Sequence, residues 1–91
     1  MSRILLMGDE ISVPTNTGTA TSFSSATVVR LFNESGSTQI VTVVESQNGT
    51  RVGTFSLFNN STELLEKKAS HCVYTDGQQP TIKGAKVGFT G

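Results

Sequence analysis

The stretch EKKASHCVYTDG, Glu66 to Gly77, holds the only histidine, the only cysteine and the only tyrosine of the chain, directly after a lysine pair. Side chains of these types can do two kinds of chemistry. A cysteine activated by a neighbouring imidazole is a nucleophile, and thiolate and imidazole together hold zinc. The spacing argues against both. In an extended segment His71 and Cys72 point to opposite faces, which separates nucleophile from base. One histidine and one cysteine cannot fill a four-ligand zinc site within one chain. The remaining route to a metal is a trimer that gathers three copies of His71 on its threefold axis. Cys72 therefore reads as a small buried hydrophobe. Tyr74 shares its face, and both are expected to pack inward.

Other reactive patterns are equally incomplete. Glu63 and Glu66 are close in sequence, but a glycosidase pair needs a concave site, and no aromatic platform is indicated. No glycine pattern opens a helix, as a phosphate loop requires. Asp9, Glu10 and Asp76 lack the spacing of a calcium loop. The expectation is a protein with no catalytic residue, no cofactor and no resident metal, and not an enzyme.

Composition narrows the partners. Seven basic and seven acidic residues leave the chain formally neutral, and no basic stripe suggests nucleic acid. Lys67–Lys68 reads as a solvated strand edge, where charge discourages stray pairing. The opening MSRILLMGDE is too short for a signal segment, and no apolar run approaches the ~20 residues of a membrane span. A lone cysteine cannot form an internal disulfide, so folding in a reducing cytoplasm is expected. The four N-x-S/T triplets at Asn33, Asn48, Asn59 and Asn60 read as products of a chain rich in these residues.

The elements that must position these residues are strands. The chain has 91 residues, enough for one domain over 1–91, and Ser plus Thr make up about a quarter of it, with Val the commonest apolar type. That profile suits half-buried strands. Arg3 to Met7 and Glu10 to Val13 open the domain, and Pro14 ends the second strand. Thr15 to Ser25 is a long loop or a ragged edge strand around Phe23. ATVVRLFN and TQIVTVVES flank NESGS, which predicts a hairpin. Gln47-Asn48-Gly49 predicts a second hairpin turn into TRVGTFSLF. The three strands then make an antiparallel meander over Ala26 to Phe58. ELLEKK is read as a strand with Leu64 and Leu65 on opposite faces, His71 to Thr75 as a short extended or irregular segment, DGQQP as a turn, and IKGAKVGFT as the last strand. In that strand Gly84 and Gly88 share a face that can accept a close neighbouring backbone.

The fold class is therefore all-β: a small antiparallel β-sandwich or barrel of about 6–8 short strands. Val29 and Leu31 lie on one face of their strand and Val28, Arg30 and Phe32 on the other; Val41 and Val43 oppose Ile40, Thr42 and Val44. Apolar residues on both faces predict that another subunit partly covers the outer one, with Val28 and Val44 at that contact.

Two segments carry a resemblance. The opening MSRILLMGDEISVPTNTGTATSFSSATVVRLFNES and the closing LLEKK…KGAKVGFTG resemble small structural or unassigned β-rich proteins of tailed phages infecting marine cyanobacteria. The stretch ASHCVYTDG departs from the turn such relatives have after the Glu-Lys pair. The resemblance implies a virion-associated structural protein, a capsid decoration, neck, tail or fibre-associated subunit. It would be made in the bacterial host cytoplasm and would work through homo-oligomeric assembly and contacts with other virion proteins. It implies no catalytic residues. Two further readings stand beside it. One is a monomeric carbohydrate- or receptor-binding adhesin-like module, with a shallow groove lined by Asn59, Asn60, Thr62 and Tyr74. The other is a small accessory protein that modulates a host enzyme.

Overall fold

The computed structural model describes residues 4–75 and 82–89. Eight strands follow one another: β1 Ile4–Leu6, β2 Ile11–Ser12, β3 Val28–Asn33, β4 Gln39–Val44, β5 Arg51–Leu57, β6 Thr62–Glu66, β7 Cys72–Thr75 and β8 Ile82–Phe89. A single 3-10 turn, Thr17–Thr19, interrupts the β2–β3 connection. All pairing is antiparallel, in two sheets: β1-β8-β3-β6, with β2 also on β8, and β5-β4-β7. The expected DGQQP turn lies outside the described residues.

Alternation in β3 places Val29 and Leu31 inward, and Val41 and Val43 of β4 meet them from the other sheet. Leu57, Val73 and Ile82 complete this central layer with Val13, Ala26 and Phe23. The sandwich is held mainly by this shared apolar interior, since burying one such side chain is worth roughly 1.5–3 kcal/mol.

The NESGS turn does not make a hairpin, and the meander over Ala26 to Phe58 does not form. β3 pairs with β6 and β8, whereas β4 pairs with β5 and β7. The chain arches from one sheet into the other. A turn motif marks a reversal but does not decide whether the two strands lie side by side or face to face. Here Asn33 decides it. Its fully buried Nδ2 donates to the Leu57 carbonyl of β5 at 2.7 Å and to the Ser37 carbonyl at 2.8 Å. Its Oδ1 accepts from the Ser35 amide at 2.8 Å. One side chain thus ties the end of β3 to the far sheet and shapes the arch.

The second turn behaves as its residues predict. β4 and β5 form a hairpin, and Asn48 takes a positive φ of 58°. β6 is a strand over the ELLEKK region, with Leu64 exposed and Leu65 against the core. β1 and β2 lie along one edge of β8 as an interrupted strand. Leu6 faces Val87, the Met7 amide donates to the Lys86 carbonyl at 2.9 Å, and Ile11 faces Gly84, so residues 8–10 bulge away from β8.

The outer face of β4 is covered at Thr42 and Val44, while Ile40 stays exposed. Val44 is 3% exposed and packs with Ala20 and Cys72, flanked by Tyr74. The cover is this chain's own β2–β3 connection, not another subunit, which corrects the expectation at Val44. Val28 is half-buried.

The same connection explains Gly84. A Cβ there would lie 2.7 Å from the ring of Phe23, so the missing side chain makes room for an aromatic ring and not, as expected, for a neighbouring backbone. At Gly88 the nearest atom is the Met7 sulfur. Phe23 reaches its slot through an unusual backbone. Phe23, Ser24 and Ser25 have φ of 55°, 56° and 59°, and the Ala26 amide donates to the Ser22 carbonyl at 3.0 Å. This is one turn of left-handed helix, disfavoured by roughly 1–2 kcal/mol per L-residue.

Candidate functional site

What holds that turn is Lys67. The sequence suggests a solvated lysine pair, yet Lys67 is 8% exposed and only Lys68 faces solvent. The Lys67 ammonium donates to the carbonyls of Ser22 at 3.0 Å, Ala26 at 2.7 Å and Lys68 at 3.3 Å, which occupies all three of its donors. Lys86 donates to the Ser24 carbonyl at 3.0 Å. The turn's own amide bond, Ala26 to Ser22, leaves the Ser24 and Ala26 carbonyls without a helix donor; Lys86 and Lys67 supply those, and Lys67 adds a second donor to Ser22. Burial pushes the Lys67 pKa below the ordinary lysine value; neighbouring Cys72 opposes the shift and Lys86 adds to it. The group is a clamp with its hydrogen bonds filled, and its geometry leaves no free donor for chemistry.

Beside the clamp lies a concavity. A cavity of about 600 Å³ opens between β5 and β6, lined by Val43, Val52 and Phe55 from one sheet and Leu65 from the other, with Glu66, Lys68 and His71 around it. A second, of about 390 Å³, is lined by Phe55, Ser56, Glu63, Leu64 and Leu65. Phe55 and Leu65 belong to both, so the two are stretches of one groove. β5 pairs only with β4, and β6 only with β3, among the described residues. The groove thus has apolar walls and an unpaired strand edge along each rim. Its Val52 end carries Lys68 and His71, and Arg51 precedes Val52 on β5; its far end carries Glu63.

The crowded stretch of the sequence is dispersed by the fold. His71 faces this groove, whereas Cys72 is buried with Val44 and Ala20, so nucleophile and base stay apart. Cys72 and Tyr74 do share a face, but it is the outer one, where they form a small cluster with Ala20 and Val44, and not the inner one expected; the residue between them, Val73, enters the main core. Among the described residues no three His, Cys, Asp or Glu side chains come together as a metal site. Glu63 and Glu66 stand on the edge strand β6, both exposed. The four residues suggested for a sugar-binding groove do not converge. Asn59 and Asn60 make the β5–β6 turn and Thr62 begins β6, but Tyr74 lies on β7, on the other side of β4. No described helix is long and apolar enough to cross a membrane.

Sequence reasoning missed Asn33 and Lys67 as anchors and the β5/β6 groove as a site. The signal for the groove was present in part: β5 and β6 each show apolar residues on both faces, which an edge strand against solvent does not need. Comparison with family models, with curated proteins and with solved structures found no match to this chain.

Proposed function

We propose that this chain is a non-enzymatic assembly subunit that works by associating with copies of itself. The observation that carries this reading is the distribution of exposed apolar residues. Leu5, Leu6, Met7 and Ile11 are exposed on one edge of the sandwich, and Val52, Leu64 and Phe58 on or beside the strands of the opposite edge. A run of three consecutive exposed apolar residues is unfavourable in a solitary protein and is expected where a contact covers it. Open strand edges are likewise sites at which another chain can add. The resemblance to phage structural proteins suggests a virion as the setting, with other virion proteins as further partners.

Light scattering on a sizing column over a wide concentration range tests the reading. A defined oligomer, or a mass that rises with concentration, is expected. A monomer at every concentration would overturn it and favour a monomeric binding module instead.

A further inference from the structure

We infer that the contact between copies is head-to-tail: the N-terminal strand of one copy, Ile4 to Met7, lies in the β5/β6 groove of the next. The inference rests on the assembly reading and names the two surfaces it uses. Among the described residues β1 is the outermost strand of the larger sheet and pairs only with β8. Leu5 and Leu6 point to opposite faces of it, yet both are exposed, at 52% and 67%, as is Met7 just beyond it at 53%. The groove is its counterpart, apolar inside and bounded by the unpaired edges of β5 and β6. An added strand can satisfy such an edge through its backbone while its side chains enter the space between the sheets.

Charges agree with this placement and choose its direction. Asp9 follows the apolar run and is exposed, whereas Glu10 pairs with Arg30 at 3.7 Å; the groove has Lys68, His71 and Glu66 at its Val52 end, with Arg51 next to Val52 along β5, and Glu63 at the other. The incoming strand therefore runs antiparallel to β5, with its Leu5 end towards Ser56 and the acidic Asp9 end towards Val52. That orientation is also the one in which adjacent strands pair readily. Because donor and acceptor are different surfaces on opposite edges, each copy offers both, and the contact propagates into rings or filaments.

The test is complementation between two defective variants, Leu6→Asp on the donor strand and Val52→Asp on the groove. Both positions are exposed, so each variant is expected to fold, with circular dichroism melting within a few degrees of the unmodified chain. Each alone is expected to run as a monomer. Mixed, they are expected to form a one-to-one dimer and nothing larger, since the intact groove of one receives the intact strand of the other. Lys68→Glu, a milder change, is expected to weaken association at least threefold, and Asp9→Lys in the partner to restore it. If the unmodified chain assembles and either aspartate variant assembles as well as it does, or if the mixture stays monomeric, the strand-in-groove contact is wrong while the assembly reading stands. If the unmodified chain is itself monomeric, the assembly reading fails first.

Discussion

At one side of the sandwich the chain crosses between the sheets and leaves hydrogen bonds on both; at the other, β5 and β6 face each other across open space. On the closed side the Val13 amide donates to Ile82 of β8 at 2.7 Å, and the adjacent Pro14 carbonyl accepts from Thr75 of β7 at 2.9 Å. Thr21 then exchanges two bonds with Val73, at 3.1 and 2.8 Å. A strap made from the β2–β3 connection thus serves as the missing wall, and Phe23 fills the slot above Gly84. On the open side no such strap exists among the described residues, and Val52 and Leu64 stay exposed. The difference teaches where this small domain spends its connecting chain. The strap spares one side the need for a partner, and the other side keeps its edges available.

Substitutions break the comparison in two different ways. Those in the anchors should cost folding, and those in the groove should cost association alone. The largest loss is expected from Asn33→Leu, which strips a donor from the Leu57 carbonyl and the acceptor from the Ser35 amide, while the Ser37 carbonyl keeps the Ser35 hydroxyl. At ~1–3 kcal/mol for a buried group left unpaired, a loss of about 3 kcal/mol or more is expected in chemical denaturation. A loss below ~1 kcal/mol would mean that the arch is set elsewhere.

Lys67→Met comes next, at about 1–2 kcal/mol, because the Ala26 carbonyl loses its donor, while those of Ser22 and Lys68 keep the amides of Ala26 and His71. Its pH dependence sharpens the point. Since the folded pKa of Lys67 lies below that of an unfolded lysine, the unfolded chain binds more protons between those two values, and stability rises with pH there. The cost of burying the charge is carried in full below that window and relieved within it. The gap between the unmodified chain and Lys67→Met should therefore widen as pH climbs towards that of free lysine. A gap that narrows would show that the three carbonyls hold the charge more firmly than burial opposes it.

Gly84→Ala should cost about 1–2 kcal/mol, since a methyl 2.7 Å from a buried ring forces Phe23 or the strand to move. Near-UV circular dichroism should change with it as the Phe23 environment loosens. The smallest folding effect is expected on the open side. Val52→Ser, at an exposed position, should change stability by no more than ~0.5 kcal/mol while reducing the native mass. Equal losses of stability at Val52 and at Gly84 would erase the distinction between the two sides.

Much of this was legible in the residues. Val-, Thr- and Ile-rich runs with period-two alternation placed every strand among the described residues within a few positions, because side-chain sterics and alternation act locally. Asn48-Gly49 located the β4–β5 hairpin for the same reason. The misreadings all involve distance along the chain. NESGS looked like a hairpin turn because nothing in it shows that β3 is taken by β6 and β8. Lys67 looked solvated because its three acceptors include Ser22 and Ala26, more than forty residues earlier. Val44 looked available to a partner because its cover, Ala20, arrives from the strap.

The amino-acid sequence by itself determined that the protein is all-β, where its strands run, and that the His-Cys-Tyr stretch lacks the geometry of a catalytic pair. These follow from alternation, turn residues and ligand counts, which are properties of neighbouring residues. Tertiary structure alone decided which strands pair, which lysine is buried, and which side of the sandwich is closed. Those outcomes depend on long-range burial and on which distant carbonyls find a donor, and no local pattern contains that information.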